Sequence, residues 1–456
     1  MFLISELFEF IRYREKELSA PSSISLIFKL MFFKEIVEKQ NCMKKILILF
    51  LFVGFSSTAI SQSNTGISGE RLIKLDAMLD DAIANQKVPG LVAMVLKDGE
   101  LVYHEAKGYA DVASKTMMEK DHIFRIASQT KAITATAVMI LWEEGKFRLD
   151  DPVSNYIPEF KSSQVLTGFR YSDTTFSTRP ADKEITIRHL LTHTSGLGYG
   201  VIDGDERMKM IYHKAGVTDL FTTENISIEE SVKRLAKLPL HHDPGTKYTY
   251  SEGLDVLGYF VEIISGQPFD VFLKERIFDP LGMDDTRFYL NDAQGERLVT
   301  VHTYQDGKWQ PYPITFYDPD YPRKGAKRFF SGGAGLSSTT ADYAKFLQMY
   351  LNQGELNGNR ILSSKTIETI MKNQVGDLWS GDKYYGLAFG VVTEAGVARG
   401  GLGSKGTFDW GGYFNTQYFA DPEEQIIGLI FKQTSGAGNG DDTNWKFRQM
   451  VFTLIE

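Results

Sequence analysis

The sequence predicts an α+β fold in which one antiparallel sheet is built from both ends of the chain and flanked by helices, with a mainly helical second lobe. Strand patterns lie near the two ends, at 91–96, 101–104, 387–393, 413–420 and 426–432. Helical spacing of apolar residues dominates between them, at 228–237, 253–265, 269–278 and 341–353. Strands that bracket a helical middle favour a sheet whose first and last segments pair under a cover of helices.

The first elements follow from local pattern. Leucines recur with helical spacing over 71–85, which predicts an amphipathic helix. Two apolar runs then flank Asp98-Gly99, a dipeptide that favours the tight turn of a β-hairpin. The residues after Lys131 are apolar nearly all round a helix, and Gly145 is expected to end it. This helix is therefore predicted to be buried.

Composition and charge limit the classes of partner. The chain is 43 % hydrophobic and 24 % charged, as expected for a globular protein. Its formal net charge is -8 at pH 7, so it offers no basic surface for a phosphate backbone. We expect no nucleic acid partner.

The N-terminal segment predicts export. Lys44 and Lys45 follow Met43, the apolar run 46–55 is too short to span a bilayer, and small residues precede position 62. We expect a signal peptide at 43–61, a single domain at 62–456, and a periplasmic or secreted protein. The only cysteine, Cys42, precedes Met43, so no stable membrane anchor is expected after cleavage.

Residues 1–42 form a doubtful N-terminal extension. They contain no recognisable targeting pattern ahead of the predicted signal peptide. We expect them to result from a start codon assigned too early. The alternative is a genuine extension in which the apolar stretch 26–33 acts as an anchor.

An S-x-x-K pattern formed by Ser128 and Lys131 is the candidate nucleophile and base. Residues three apart share one face of a helix, so the lysine amine is expected beside the serine hydroxyl. A desolvated, neutral lysine can take the proton of a serine and activate it for attack. The same pattern recurs at Ser380 and Lys383, in a loop with no helix to align the two side chains, and that copy is expected to be fortuitous.

A tyrosine and a pair of glycines could complete the site. Tyr250 ends a Gly-containing loop just before a helical stretch, and its hydroxyl can act as a general base beside a lysine. The alternative is a half-buried structural tyrosine, which is expected for most of the 21 tyrosines. Gly411 and Gly412 stand at a strand entrance, where a ligand can approach the backbone as an oxyanion hole requires.

These three motifs, in this order, resemble those of the serine β-lactamase-like hydrolases, the superfamily of class C β-lactamases and penicillin-binding proteins. The similarity is greatest to the family VIII carboxylesterases and extends over 70–456, including the stretches at 189–197, 255–258 and 279–283. The resemblance implies a β-lactamase/transpeptidase-like fold, a metal-free site and no cofactor. It also implies a serine hydrolase domain over 62–456.

The resemblance assigns roles to individual residues. Ser128 would be the acylated nucleophile, and Lys131 and Tyr250 would share its proton. The oxyanion hole would be formed by the backbone N–H groups of Ser128 and Tyr413. Trp410, Gly411, Gly412 and Glu252 would contact the substrate.

Two departures from the superfamily pattern bear on substrate choice. Penicillin-binding relatives carry a cationic side chain where this chain has Trp410, and an asparagine where it has Glu252. Loss of the cation removes an ion pair with the carboxylate of a β-lactam, worth about 1.5–3 kcal/mol when desolvated. Glu252 would add repulsion if it faced the cleft. Both changes favour a small ester or acylated substrate.

Other classes remain open. A β-lactamase or D-amino-acid peptidase acting on amides is the catalytic alternative, and a slowly acylated penicillin-recognising binding protein is the non-catalytic one. His189 and His193 lie four residues apart and His241 adjoins His242, but neither set occurs in an H-E-x-x-H arrangement, so no metal is expected. The oligomeric state and the natural ester are not indicated.

Overall fold

The computed structural model describes residues 66–315, 317–436 and 439–455. The signal peptide at 43–61 and the extension at 1–42 lie outside the described residues. Both therefore stay predictions, as does the domain boundary at 62.

An eight-stranded antiparallel sheet joins the two ends of the described chain. Its strands, numbered along the chain, are β1 (Gly90–Lys97), β2 (Glu100–Asp111), β3 (Thr116–Met117), β4 (Lys383–Tyr385), β5 (Gly390–Val392), β6 (Phe408–Gly411), β7 (Thr416–Asp421) and β8 (Ile426–Phe431). Their spatial order is β4-β5-β6-β7-β8-β1-β2-β3. The β1–β8 pairing, with Val92 opposite Phe431 and Lys97 opposite Ile426, joins the N-terminal and C-terminal parts of the sheet. The predicted sheet built from both ends is confirmed.

Helices pack around this sheet, and most of them lie in the segment between β3 and β4. They are α1 (Gly69–Ala84), α2 (Thr130–Glu143), α3 (Ile187–Leu191), α4 (Glu206–Ala215), α5 (Ile228–Leu235), α6 (Gly253–Ser265), α7 (Phe269–Leu273), α8 (Asp279–Leu281), α9 (Asp292–Glu296), α10 (Tyr321–Lys324), α11 (Thr340–Leu351), α12 (Ser364–Met371), α13 (Glu394–Arg399) and α14 (Thr443–Phe452). A π-helical turn at Lys274–Phe278 joins α7 to α8.

The central strand β1 is buried on both faces, and its alternating side chains show why. Leu91 and Val95 belong to the apolar cluster that contains α1 and α14. Val92 and Met94 point the other way, into the large cluster that contains α2 and α11. The sheet is thus the middle of three layers, and α2, the helix that follows Ser128, lies in the main core.

Helix α2 behaves as its composition predicts. Every residue from Thr130 to Leu141 is buried, and the helix ends just before Gly145, whose φ of 70° suits the left-handed position after a helix. A helix buried all round is held on every side, so it provides a rigid base for the residues at its N-terminus.

Two predicted strands are shorter than expected. The stretch 387–393 reduces to β5, because Ala388 has a φ of 68° and the N–H of Gly386 bonds to the carbonyl of Phe389. The stretch 413–420 begins only at Thr416, since a tight turn intervenes in which Gly412 bonds to Thr416 and Asn415 bonds to Gly412. In both places β-favouring side chains are overridden by a turn.

Several elements were not predicted, among them helices α3, α4, α12 and α14. Helix α14 packs on the sheet beside α1, and a hairpin pairs Gln164–Arg170 with Thr175–Pro180. Within the described residues, no single helix is long and apolar enough to cross a membrane. The bent pair of α6 and Phe269–Leu281 meets that test by length and composition, but most of α6 is buried in the core.

Candidate active site

Ser128 lies on a short 3₁₀ turn, Ala127–Gln129, that leads directly into α2. Its neighbours Ala127 and Gln129 are fully buried, whereas Ser128 is partly exposed. Ala127 has a φ of 43°, a left-handed conformation that is unfavourable for a residue with a β-carbon. The strained turn presents the serine hydroxyl at the surface of an otherwise closed core.

Lys131 is completely buried and its terminal amino group reaches Ser128. The Nζ atom lies 3.3 Å from the Ser128 Oγ and donates to the carbonyl of Gly333 at 2.8 Å. It also lies 4.7 Å from the centre of the Tyr250 ring and 5.5 Å from that of Tyr199. Among the described residues it forms no ion pair. The predicted proximity of serine and lysine is present, and it permits direct proton transfer between them.

Gly333, whose carbonyl accepts from Lys131, is itself held through its N–H by Asp255. This α6 carboxylate accepts hydrogen bonds from the N–H of Gly333 at 3.2 Å and from the hydroxyl of Ser331. A β-carbon at position 333 would lie 2.4 Å from the Asp255 carboxylate, so only glycine fits there. The Gly-rich loop at 332–335 thus positions the lysine.

His193 positions Tyr250 through hydrogen bonds to the residues before and after it. The His193 carbonyl accepts the N–H of Thr249 at 2.8 Å, and its Nδ1 accepts the N–H of Ser251 at 3.1 Å. The two rings pack with centres 4.5 Å apart. Burial, with a smaller contribution from Lys131, lowers the pKa of His193 well below its ordinary value, so the imidazole stays neutral and its Nδ1 can accept.

The end of β6 passes directly against the serine turn. A β-carbon at Gly412 would lie 2.5 Å from the carbonyl oxygen of Ile126, two residues before Ser128. The next residue, Tyr413, is 38 % exposed, and its backbone N–H meets no acceptor among the described residues. A donor free for a ligand at this place is what an oxyanion hole needs. Trp410 and Gly411 lie at the same strand end, partly exposed.

This contact makes Gly412 a sharp test of the arrangement. In Gly412→Ala the new methyl group would also lie 2.3 Å from the Thr416 Oγ1, so the turn before Ser128 must move. We expect ester turnover to fall by about a hundred-fold, as small displacements of reacting groups do. Turnover and the thermal midpoint should be measured together, with Gly69→Ala as control, because a β-carbon there meets nothing within 4 Å. Wild-type turnover in Gly412→Ala would contradict the placement.

Glu252 is almost completely buried. It lies at the N-cap of α6, is 3 % exposed, and has one carboxyl oxygen without a hydrogen-bond partner among the described residues. Burial raises its pKa well above the ordinary value, and the neighbouring carboxyls of Asp219 and Asp255 raise it further. Because a raised pKa favours the uncharged acid, this shift weakens the repulsion that Glu252 would exert on a β-lactam if it faced the cleft.

The second S-x-x-K pattern and the histidines have structural roles. Lys383 lies on β4 and pairs with Asp409 at 2.6 Å, while Ser380 is exposed. His189 completes the capping box at the start of α3 with Thr186. Within 66–315, 317–436 and 439–455, no three His, Cys, Asp or Glu side chains are grouped to hold a metal ion.

Sequence reasoning missed three contributors to this site: Asp255, Gly333 and His193. Asp255 and His193 lie within stretches that carry the superfamily resemblance, and Gly333 lies in the Gly-rich loop. Each acts through contacts with residues far away in sequence, as between Gly333 and Lys131. Their local sequence signal was present, but the partner that gives each its role was not visible.

Comparison with known proteins agrees with this geometry. The family model described as Beta-lactamase matches residues 75–449. Esterase EstB of Burkholderia gladioli is 31 % identical over 398 residues, which cover 83 % of this chain and 94 % of the esterase. The family match spans the serine, tyrosine and glycine motifs.

Solved structures give the same fold. EstCE1, a hydrolase with promiscuous acyltransferase activity, superposes with a TM-score of 0.69 at 26 % identity, covering 84 % of this chain and 98 % of EstCE1. Simvastatin synthase (LovD) from Aspergillus terreus has a TM-score of 0.70 at 24 % identity, covering 85 % and 99 %, and shows the fold alone. The predicted β-lactamase/transpeptidase-like fold is confirmed. The chain therefore belongs to the beta-lactamase family, and it is an esterase-related serine hydrolase of the serine β-lactamase-like superfamily.

Proposed function

We propose that this protein is an exported carboxylesterase that cleaves small carboxylic esters through an acyl-enzyme on Ser128. The observation that carries the proposal is the 3.3 Å contact between the Lys131 Nζ and the Ser128 Oγ, with the same Nζ over the Tyr250 ring. Similarity to EstB supports the ester class.

The steps follow from this arrangement. The Ser128 Oγ attacks the ester carbonyl carbon while its proton passes to Lys131 or Tyr250. The backbone N–H groups of Ser128 and Tyr413 stabilise the oxyanion. Collapse of the tetrahedral intermediate breaks the bond to the alcohol, which leaves with that proton. Water, deprotonated by the same pair, then hydrolyses the acyl-enzyme.

The same nucleophile could attack amides such as β-lactams. Trp410 argues against β-lactams as the preferred substrates. This side chain brings no cation to the cleft, and the nearby Lys383 is held by Asp409 at 2.6 and 2.7 Å. A lactam carboxylate would therefore be desolvated without a partner. A β-lactamase or D-amino-acid peptidase is the alternative.

Substrate preference tests this choice. We expect kcat/KM for a short-chain p-nitrophenyl ester to exceed that for a chromogenic cephalosporin by orders of magnitude. Trp410→Lys should shift the ratio toward the cephalosporin about ten-fold or more, the value of a regained charged hydrogen bond. Trp445→Lys, at an exposed tryptophan of α14, is the matched control and should leave the ratio unchanged. A wild-type enzyme faster on cephalosporins would favour the alternative.

Acyl transfer is a second candidate activity. EstCE1 is a hydrolase with promiscuous acyltransferase activity and covers 84 % of this chain. Transfer needs only that an alcohol replaces water in the second step, which an accessible acyl-enzyme permits. Product ester formed in the presence of added alcohol, measured against hydrolysis, decides it.

Export is proposed on the pattern at 43–61 alone. The protein recovered from the periplasm or medium of an expressing bacterium is expected to begin at Gln62. An N-terminus at or before Met43 on protein retained in the cytoplasm would contradict it.

A further inference from the structure

Among the described residues, Tyr250 has three aromatic neighbours, and one of them is accessible. Its ring centre lies 4.5 Å from that of His193, 5.3 Å from Tyr199 and 6.0 Å from Trp410. His193 and Tyr199 are 0 % and 1 % exposed, so neither can contact a substrate. Trp410 is partly exposed. A group that extends from the Tyr250 hydroxyl across aromatic surface must therefore pass over Trp410.

Beyond Trp410 the aromatic surface continues. Trp379 lies edge-on to Trp410 at 6.0 Å, and Tyr248 stacks on Trp379 at 5.2 Å with 28° between the planes. All three are partly exposed, and the fully buried Tyr385 contacts each of them at 5.2–5.4 Å. We call Tyr248, Trp379 and Trp410 the aromatic wall.

The spacing of the wall selects its ligand. Ring centres 5.2–6.0 Å apart are in van der Waals contact, so no group fits between them as a cation fits inside an aromatic cage. The wall contains no charged side chain. A flat apolar ring lying on its outer face is the ligand that gains most from such a surface.

The chemistry decides which part of the substrate meets the wall. Lys131 and Tyr250 return the proton to the departing alcohol, so the alcohol oxygen must leave beside them. The acyl carbonyl oxygen is turned instead toward the N–H of Tyr413. Among the described residues, the ring of Tyr413 contacts Phe221 and Tyr317 and none of the three rings of the aromatic wall.

We propose that the aromatic wall binds the alcohol portion of the ester, so that the enzyme prefers esters of flat aromatic alcohols. This inference rests on the proposed esterase function. It makes a prediction that a general packing role does not: once the alcohol has left, the wall no longer touches the reacting group. Substitutions in the wall should change acylation and leave deacylation unaltered.

Trp379→Leu tests this with two esters of one acid, benzyl butanoate and butyl butanoate. We expect kcat/KM for the benzyl ester to fall roughly 3–10-fold more than that for the butyl ester, as loss of one aromatic contact implies. The decay of the shared butanoyl-enzyme, followed by mass spectrometry after quenching, should keep its wild-type rate. Tyr248→Leu should act in the same direction, and Trp445→Leu on α14 should change neither quantity.

The ratio of the kcat/KM values for the two esters does not depend on how much of the protein is folded. A destabilised variant therefore still tests the inference. Equal losses on both esters, no loss on either, or slower decay of the butanoyl-enzyme would overturn the inference. If the wild-type protein hydrolysed no ester, both the proposed function and this inference would be wrong. If Trp379→Leu hydrolysed both esters with the wild-type ratio of kcat/KM values, only the inference about the aromatic wall would be wrong.

Discussion

Ser128→Ala is expected to abolish ester hydrolysis and covalent labelling by a fluorophosphonate. Without the hydroxyl there is no atom to form the acyl bond, and the Lys131 amine 3.3 Å away has no proton to accept. The partly exposed Ser128 is the hydroxyl that this turn presents to a substrate. Intact-protein mass after reaction with the probe, together with turnover of a p-nitrophenyl ester, measures both effects.

Ser380→Ala is the matched control, because it removes the serine of the other S-x-x-K pattern. Its lysine, Lys383, is bound to Asp409 at 2.6 Å and cannot serve Ser380 as a base. Labelling and turnover should both remain at the wild-type level. Label that persists on the Ser128→Ala protein would refute the assignment of the nucleophile.

Lys131→Ala and Tyr250→Phe are each expected to lower turnover by roughly 10²–10⁴-fold, the range for loss of a general base. Tyr250→Phe is the cleaner change, since it keeps the ring that packs on His193 and Trp410 and removes only the hydroxyl. Lys131→Ala also empties a fully buried site, so its thermal midpoint should be measured beside its turnover.

Tyr171→Phe controls for the general effect of deleting a phenol, because that ring is 63 % exposed on the hairpin at Gln164–Arg170 and Thr175–Pro180. It should leave turnover unchanged. Near-full activity in Tyr250→Phe would mean that the proton passes through Lys131 alone. Near-full activity in Lys131→Ala would remove the lysine from the mechanism.

Much of the fold could be read from local pattern. Helix α6 begins and ends where the apolar spacing predicted, at 253–265, and the hairpin of β1 and β2 turns at Asp98 as expected. These elements are specified by neighbours in sequence, through helical periodicity and a turn dipeptide. Where a residue with positive φ interrupts a β-favouring run, as Ala388 and Asn415 do, the local pattern was misleading.

The sequence by itself determined the nucleophile candidate, the lysine beside it and the family. Ser128 and Lys131 are three residues apart at the start of one helix, so their contact needs no long-range information. The order of the serine, tyrosine and Gly-Gly motifs can likewise be read from the sequence alone, and it resembles the order found in one superfamily.

Only the tertiary structure decided which of these residues contact one another and how far burial shifts the pKa of an acidic side chain. Gly412 lies against Ile126, and Gly333 against Lys131, because pairing of distant strands and packing of α6 bring them there. Glu252 is buried and its pKa is raised for the same reason. Burial and neighbouring charges set the pKa of a group, and both are properties of the folded chain rather than of residue type.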